Sequence, residues 1–438
     1  MSKIIITNKI KSFDKKIYVS GDKSLSIRWI LFSSLASGIS KAKNLLMSED
    51  VIAAIKAIKK LGIKVSIKNN ICKIYGKGID GYKYKKNITI NAQNSGTLGR
   101  LILGLLINTP YPIKLVGDKS LSKRDFKRIS DPLTKFGAKF KLKNNKNLPL
   151  TIFGSKKTKP IKFTEKKGSA QVKSSVIFAG MRTVGSTIIK AKKSRNHTEA
   201  MCKYLDLPLK VNSKKNYDKI SIRKVKEIKR LNYNIPSDVS SGAFFVVLTA
   251  LSENSQLLIK NININPSRIG IIYILKKMGI KINLQNKKNY KGEKIADIKI
   301  KSTKLIKPIN SPVRLNSSAI DEFLLIFICA AKASGISYFK NLEELNKKES
   351  PRLIWGSRIL NKMGIKTVTT KSSIKIYGNP NLKINKKIII KDYLKDHRVF
   401  MTSVIAALVF GGTWNIHDKD SFKSSFPAFL DIINSLKK

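Results

Sequence analysis

Six times along the chain a short polar opening runs straight into two to four turns of apolar residues. The openings are Gly21-Asp22-Lys23-Ser24-Leu25-Ser26-Ile27-Arg28, Asn94-Ser95-Gly96-Thr97-Leu98-Gly99-Arg100, Ser169-Ala170-Gln171-Val172-Lys173-Ser174-Ser175, Asp238-Val239-Ser240-Ser241-Gly242, Asp321-Glu322-Phe323 and Asp396-His397-Arg398. With starts at 24, 94, 169, 238, 319 and 396, the gaps are 70, 75, 69, 81 and 77 residues. Near-equal spacing of this kind means one folding unit used repeatedly. A helix that is apolar all round has to be packed inside the protein. The openings offer Ser, Asp and Asn to cap a first turn. Gly38, Gly180, Gly185, Gly335, Gly411 and Gly412 read as closing the runs.

A second element recurs between these runs. Ile55-Lys56-Ala57-Ile58-Lys59-Lys60-Leu61-Gly62-Ile63-Lys64-Val65 reads as an amphipathic helix, a glycine stop and a strand. Pro132 to Phe140, Tyr273 to Ile282 and Arg358 to Thr367 repeat it, and Met201 to Val211 is a degenerate copy with Pro208 near the glycine position. Strands alternating with helices in every unit predict an α/β (α+β) chain. Residues 1–19 read as a strand pair, Ile4 to Ile6 and Ile17 to Val19, before the first unit.

At 438 residues the chain is too long for one core. Three units per lobe is the natural division: 20–232 as the first lobe, 1–19 plus 233–438 as the second. Such a chain crosses between lobes near 20 and 234, and a cleft between lobes would collect the helix starts. No apolar run is long and uncharged enough to span a bilayer, and the opening Met1-Ser2-Lys3-Ile4-Ile5-Ile6 lacks the apolar stretch of a secretory leader. Cys72, Cys202 and Cys329 are scattered and odd in number. They suit buried thiols in a reducing, cytoplasmic setting and not a disulfide framework or zinc site. With only His197, His397 and His417, a histidine-built metal centre is not expected.

The net charge of +60 is the largest anomaly. Dense lysine can neutralise nucleic-acid phosphates. Here the lysines are spread through every amphipathic segment, and the aromatics are not interleaved as stacking platforms. No specific nucleic-acid partner and no membrane partner is expected.

The openings are chemically selective. Lys23, Ser24, Arg28, Arg100, Lys173 and Arg398 are phosphate or carboxylate ligands in type. Arg124 in Ser120-Leu121-Ser122-Lys123-Arg124 and Arg195 in Ser194-Arg195-Asn196-His197-Thr198-Glu199 are of the same type, and Lys348-Glu349-Ser350-Pro351-Arg352 adds two cations around an acid. Many cations beside a few acids (Asp321, Glu322, Glu349, Asp396) point to a polyanionic small substrate and proton transfer by a carboxylate or lysine.

These motifs, in this order and spacing over nearly the whole chain, resemble the 3-phosphoshikimate 1-carboxyvinyltransferase (EPSP synthase) family. The matching stretches are Lys23-Ser24-x-Ser26-x-Arg28, Asn94-Ser95-Gly96-Thr97-x-x-Arg100, Gly117-Asp118-x-Ser120-Leu121-x-x-Arg124, Ser169-Ala170-Gln171-Val172-Lys173-Ser174, Ser194-Arg195-x-His197-Thr198-Glu199, Asp238-Val239-Ser240-Ser241, Asp321-Glu322, Lys348-Glu349-Ser350-x-Arg352 and Asp396-His397-Arg398. The resemblance implies the enolpyruvyl transferase fold: a two-lobed inside-out α/β barrel of six βαβαββ repeats, three per domain. It also implies transfer of the enolpyruvyl group of phosphoenolpyruvate to the 5-hydroxyl of shikimate 3-phosphate, with release of phosphate, without metal or organic cofactor. A monomer with an open-to-closed motion is the expected form.

Carried onto this sequence, Lys23, Ser24, Arg28, Ser169, Ala170 (through its backbone), Gln171, Arg195, Asp321 and Lys348 resemble the shikimate 3-phosphate ligands. Lys23, Gly96, Arg124, Gln171, Arg352 and Arg398 resemble the phosphoenolpyruvate site. Asp321 resembles the general base, Glu349 the acid that protonates the methylene carbon, and Lys23 completes the catalytic set. With Gly96 rather than Ala, the resemblance implies sensitivity to glyphosate. Three places depart from the family: Pro351 stands where Asp is usual, Asn196 replaces a common Asp, and Lys423 sits one place early for a lysine that some members use on phosphoenolpyruvate. The related transferase acting on UDP-N-acetylglucosamine uses a loop cysteine, and the matching region, 108–124, has none.

Overall fold

A computed structural model describes residues 2–437. Its six apolar runs are helices, Lys23–Leu35, Gly96–Leu105, Ala170–Met181, Val239–Leu251, Phe323–Ala331 and His397–Phe410. Val239–Leu251 and His397–Phe410 are buried at every position. Side chains cap five of the six: Asp22 accepts from the Leu25 N–H, Ser95 from Leu98, Ser169 from Val172, Asp238 from Ser240 and Asp396 from Arg398. Each capped start therefore has a satisfied donor and a defined first turn.

Four of the six sheets share one four-stranded plan, and the other two have three strands each among the described residues. In the second repeat, Thr89–Asn91 runs parallel to Ile113–Val116, which is antiparallel to Asn147–Phe153, itself paired with Lys139–Lys143. The third repeat copies it with Lys162–Glu165, Ser186–Lys192, Tyr217–Arg223 and Leu209–Ser213. In the first, the parallel edge strand is Asn232–Asn234, which pairs with Ser37–Lys43. Lysines crowd the solvent faces: Lys41 stands directly opposite Lys73, and Lys190 opposite Lys219. Like charges so placed repel, so the excess charge contributes nothing to pairing there.

The chain divides into two compact units, and each has its own core. The first comprises Gly21–Ile235 with Tyr290–Glu293, the second the residues up to Ser20, Pro236–Asn289 and Lys294 onward. Leu25, Trp29, Phe32, Leu101, Phe178 and their neighbours fill the first core. Phe244, Phe245, Phe327, Phe400 and Trp414 belong to the second. Burying one such side chain contributes about 1.5–3 kcal/mol, so each core is large enough to hold its helices inside its sheets.

Three expectations need correction. Residues 1–19 do not form a paired hairpin. Lys3–Ile6 is antiparallel to Thr413–His417, and Asp14–Ile17 is parallel to Gln256–Asn263. Gly38 does not end its helix: Ala36 turns to extended backbone first, and Gly38 already belongs to strand Ser37–Lys43. In the degenerate copy Asp206, not the region of Pro208, takes the stop. Its φ of 53° matches the left-handed role that Gly62, Gly279 and Gly364 play at 85–89°, and aspartate is among the few residues other than glycine that tolerate it.

Candidate active site

In the first unit most candidate residues sit at the starts of its inner helices, with Arg124 and Arg195 in loops. Lys23 opens helix Lys23–Leu35, and its ammonium lies 3.0 Å from the Asp50 carboxylate. Ser24 is half-buried, and its carbonyl accepts from Arg28 Nη1 at 3.0 Å. Arg28 is buried. Its Nε donates to Thr198 Oγ1 at 2.8 Å and its Nη2 to Ser174 Oγ at 3.1 Å.

Ser169 is the cap of helix Ala170–Met181, whose first turn carries Ala170 and Gln171. The Gln171 amide is held on both sides, accepting from Arg100 and donating to Thr97 Oγ1 at 3.1 Å. Arg195 lies in the loop between strand Ser186–Lys192 and helix His197–Tyr204. Gly96 opens helix Gly96–Leu105, and a Cβ built there would stand 3.0 Å from Arg124 Nη1. Arg124 Nη2 in turn donates to Asn94 Oδ1 at 2.9 Å, and Asp118 fixes Asn94 from the other side at 2.6 Å. Cations at capped helix starts form a setting for anions, because free N–H groups and side-chain charge act together.

Lys173 does not join this set. It is fully buried and paired with Glu199 at 2.6 Å, so its type alone misled. Asp50 is a partner that the sequence reading did not pick out. The acids Glu49-Asp50 in so basic a chain were the available signal.

The second unit gathers its residues around one guanidinium. Arg352 is 2% exposed, at the first residue of helix Arg352–Lys362. Its Nε meets Asp396 at 2.9 Å, its Nη1 meets Asp321 at 3.3 Å and its Nη2 meets Glu349 at 2.5 Å. Lys348 is also 3.2 Å from Asp321. Burial opposes the charge of Arg352, but Asp396, then Glu349 and Asp321, outweigh it and hold the guanidinium more firmly protonated than usual. Burial likewise works against the Asp396 carboxylate, and Arg352 keeps its pKa below the ordinary value. Asp396 also accepts from the Ser350 hydroxyl at 2.9 Å.

Arg398 is held by Glu322 at 3.5 Å. Glu322 accepts from Ser240, whose hydroxyl also receives a bond from buried Arg268 at 2.8 Å. Ser240 lies in one of the matching stretches, whereas Arg268 is a support that no motif in the sequence revealed. Pro351 occupies the cap position of helix Arg352–Lys362 and supplies no side-chain acceptor. Lys423 is exposed and pairs with Asp420 at 2.7 Å. No group of three or more His, Cys, Asp and Glu side chains placed to hold a metal occurs among the described residues.

The arrangement can bind anions at several helix starts and offers two carboxylates, Asp321 and Glu349, on one guanidinium. A model of the family described as EPSP synthase (3-phosphoshikimate 1-carboxyvinyltransferase) matches residues 7–433. The chain belongs to the EPSP synthase family.

Full-length relatives agree. A 3-phosphoshikimate 1-carboxyvinyltransferase of Ruthia magnifica subsp. Calyptogena magnifica is 38% identical over 100% of this chain and 98% of its own length. One of Bacillus cytotoxicus is 35% identical over 97% and 98%. A solved EPSP synthase from Acinetobacter baumannii superimposes with a TM-score of 0.87 at 33% identity, covering 99% of this chain and 98% of that one. The enolpyruvyl transferase NikO from Streptomyces tendae matches with a TM-score of 0.76 at 12% identity, covering 99% and 97%, a likeness of fold. The fold is the α/β enolpyruvyl transferase fold. The EPSP synthase reaction, carboxyvinyl transfer in the shikimate pathway of aromatic amino acid biosynthesis, makes this chain an enzyme with small-molecule substrates. No helix among the described residues is long and apolar enough to cross a membrane.

Proposed function

We infer that the chain moves the enolpyruvyl group of phosphoenolpyruvate onto the 5-hydroxyl of shikimate 3-phosphate, releasing phosphate, and that the residues gathered above divide the work. The observation that carries the assignment of roles is the ring of Asp321, Glu349, Asp396 and Lys348 about Arg352. A hydroxyl is a poor nucleophile until its proton is taken, and the enol phosphate of phosphoenolpyruvate accepts a nucleophile only as its methylene carbon gains a proton. Asp321 takes the hydroxyl proton, with Lys348 steadying the carboxylate. Glu349 gives a proton to the methylene carbon. The oxygen bonds to the adjacent carbon, forming a tetrahedral intermediate. Loss of a methyl proton back to a carboxylate then expels phosphate and restores the double bond.

Arg28, Ser24, Ser169, Ala170, Gln171, Arg195 and Lys23 serve shikimate 3-phosphate. Arg124, Gly96, Arg352, Arg398, Gln171 and Lys23 serve phosphoenolpyruvate. Fixed positive charge at these helix starts stabilises the anionic intermediate without reorganising. Gly96 fits the role, because a side chain there would press on Arg124, its Cβ 3.0 Å from Nη1. The enzyme acts as a cytoplasmic monomer in this reading.

The test is phosphate release from phosphoenolpyruvate, with shikimate 3-phosphate as acceptor and UDP-N-acetylglucosamine as control. Release only with shikimate 3-phosphate, abolished in Asp321→Ala, is the expected result. Release with neither acceptor would sink the reading.

A further inference from the structure

We propose that Thr198 and Ser174 are positioning residues that set the Arg28 guanidinium for shikimate 3-phosphate, held in place by the buried Lys173–Glu199 pair. The proposal rests on the reading of Arg28 as a ligand of that substrate.

An arginine side chain has many rotamers, and holding one of them costs about 1.5–2 kcal/mol. Arg28 is held from three directions: Nε to Thr198, Nη2 to Ser174 and Nη1 to the Ser24 carbonyl. Three contacts on a planar group fix both its plane and its rotation within that plane. The two hydroxyls also bond each other at 2.7 Å, so neither can turn away without breaking a second contact. Both are neutral. They orient the guanidinium without cancelling the charge an anion would meet.

The supports come from distant parts of the chain. Ser174 is in helix Ala170–Met181 and Thr198 in the first turn of helix His197–Tyr204. Each is preceded or followed in sequence by one member of the ion pair: Lys173 before Ser174, Glu199 after Thr198. That pair is 2.6 Å long with side chains 0% and 6% exposed. A buried ion pair adds little net stability over apolar residues of similar size, but separating its members leaves a buried charge uncompensated, and that fixes register. Here the register it fixes is that of the two helices whose hydroxyls grip Arg28. The role also accounts for a fully buried lysine in a stretch that otherwise lies at a binding surface.

Steady-state kinetics on both substrates, with thermal unfolding of each variant, test the device. Thr198→Val keeps the shape and removes the acceptor for Arg28 Nε. The expected result is a rise in KM for shikimate 3-phosphate of about tenfold, the size of one lost charge-assisted bond. KM for phosphoenolpyruvate and kcat stay within about twofold, since only one substrate meets Arg28. Thr198→Ser restores the wild-type KM. The apolar pair Lys173→Met with Glu199→Leu is expected to fold and to raise the same KM. An unchanged KM for shikimate 3-phosphate in Thr198→Val, while Arg28→Lys raises it, overturns the positioning role and leaves Arg28 as a ligand. An unchanged KM in Arg28→Lys overturns both. Equal rises in both KM values with a lowered unfolding midpoint and no rescue by serine mean a merely structural role and also overturn the proposal.

Discussion

The two units give the arginines of the candidate site different partners. In the first, Arg28, Arg100 and Arg124 donate to hydroxyl and amide oxygens of Thr198, Ser174, Gln171 and Asn94. In the second, Arg352 meets Asp396, Asp321 and Glu349, and Arg398 meets Glu322. Neutral acceptors fix direction and leave the charge in place. Carboxylates fix direction and oppose the charge. The first arrangement suits capture of a dianion, the second suits moving protons, since its acids are already beside the cation that steadies them. One folding unit, used six times, thus supports two electrostatic tasks by changing a handful of side chains at its helix starts.

The largest effect should come from Asp321→Asn, which keeps the shape and removes the base. It should lower kcat by about 10²- to 10⁴-fold with little change in unfolding. A variant retaining most of its kcat would show that the second unit's acids do not carry the proton. Next, Asp396→Asn keeps a helix cap but leaves Arg352 short of a charge. It should cost about 3 kcal/mol at neutral pH, as for a broken buried pair, whereas Asn94→Ala in the first unit should cost about 1 kcal/mol. Urea unfolding of both would break the comparison if the two costs were equal. The pH dependence has a definite sign. Asp396 is held below the ordinary 3.8 of an aspartate. Its contribution is therefore present above pH 3.8 and is lost as the pH falls below that through its own lower pKa. The gap between wild type and Asp396→Asn should close in that window.

Smaller effects sharpen the picture. Gly96→Ala puts a methyl 3.0 Å from Arg124 Nη1. KM for phosphoenolpyruvate should rise about tenfold with the unfolding midpoint unchanged. An unaltered KM would remove Arg124 from that substrate. Pro351→Asp supplies the cap that helix Arg352–Lys362 lacks. It should add about 1 kcal/mol of stability, measured by the shift in urea midpoint.

What could be read from the chain follows from range. Caps such as Asp22, Ser95, Ser169 and Asp396 act on the next turn, so polar openings and apolar runs located the inner helices. Glycine stops act equally locally, and Gly62, Gly279 and Gly364 were legible. Asp206 was not, because left-handed backbone at an aspartate leaves no mark in composition. Pairings across the chain were out of reach. Nothing near Lys3 names Thr413–His417 as its neighbour, nothing near Arg398 names Ser240 and Arg268, and Lys173 reads as a ligand until Glu199 is seen beside it. The family motifs held Ser174, Thr198 and Ser240, but which arginine or acid each one meets came only from the fold.

The exchange of edge strands has a consequence for synthesis. The first unit is nearly continuous, and its first sheet is complete once Asn232–Asn234 has emerged. Strand Asp14–Ile17 must wait for Gln256–Asn263, which at ribosomal rates of about 5–20 residues per second is a delay of roughly 12–50 s. Strand Lys3–Ile6 waits for Thr413–His417, almost to the end. Until Gln256–Asn263 emerges the nascent chain carries two unpaired strands, and from then until Thr413–His417 it carries one. The first to pair, Asp14-Lys15-Lys16-Ile17, is charged at three of its four positions, which keeps an unpartnered edge from pairing with the wrong chain.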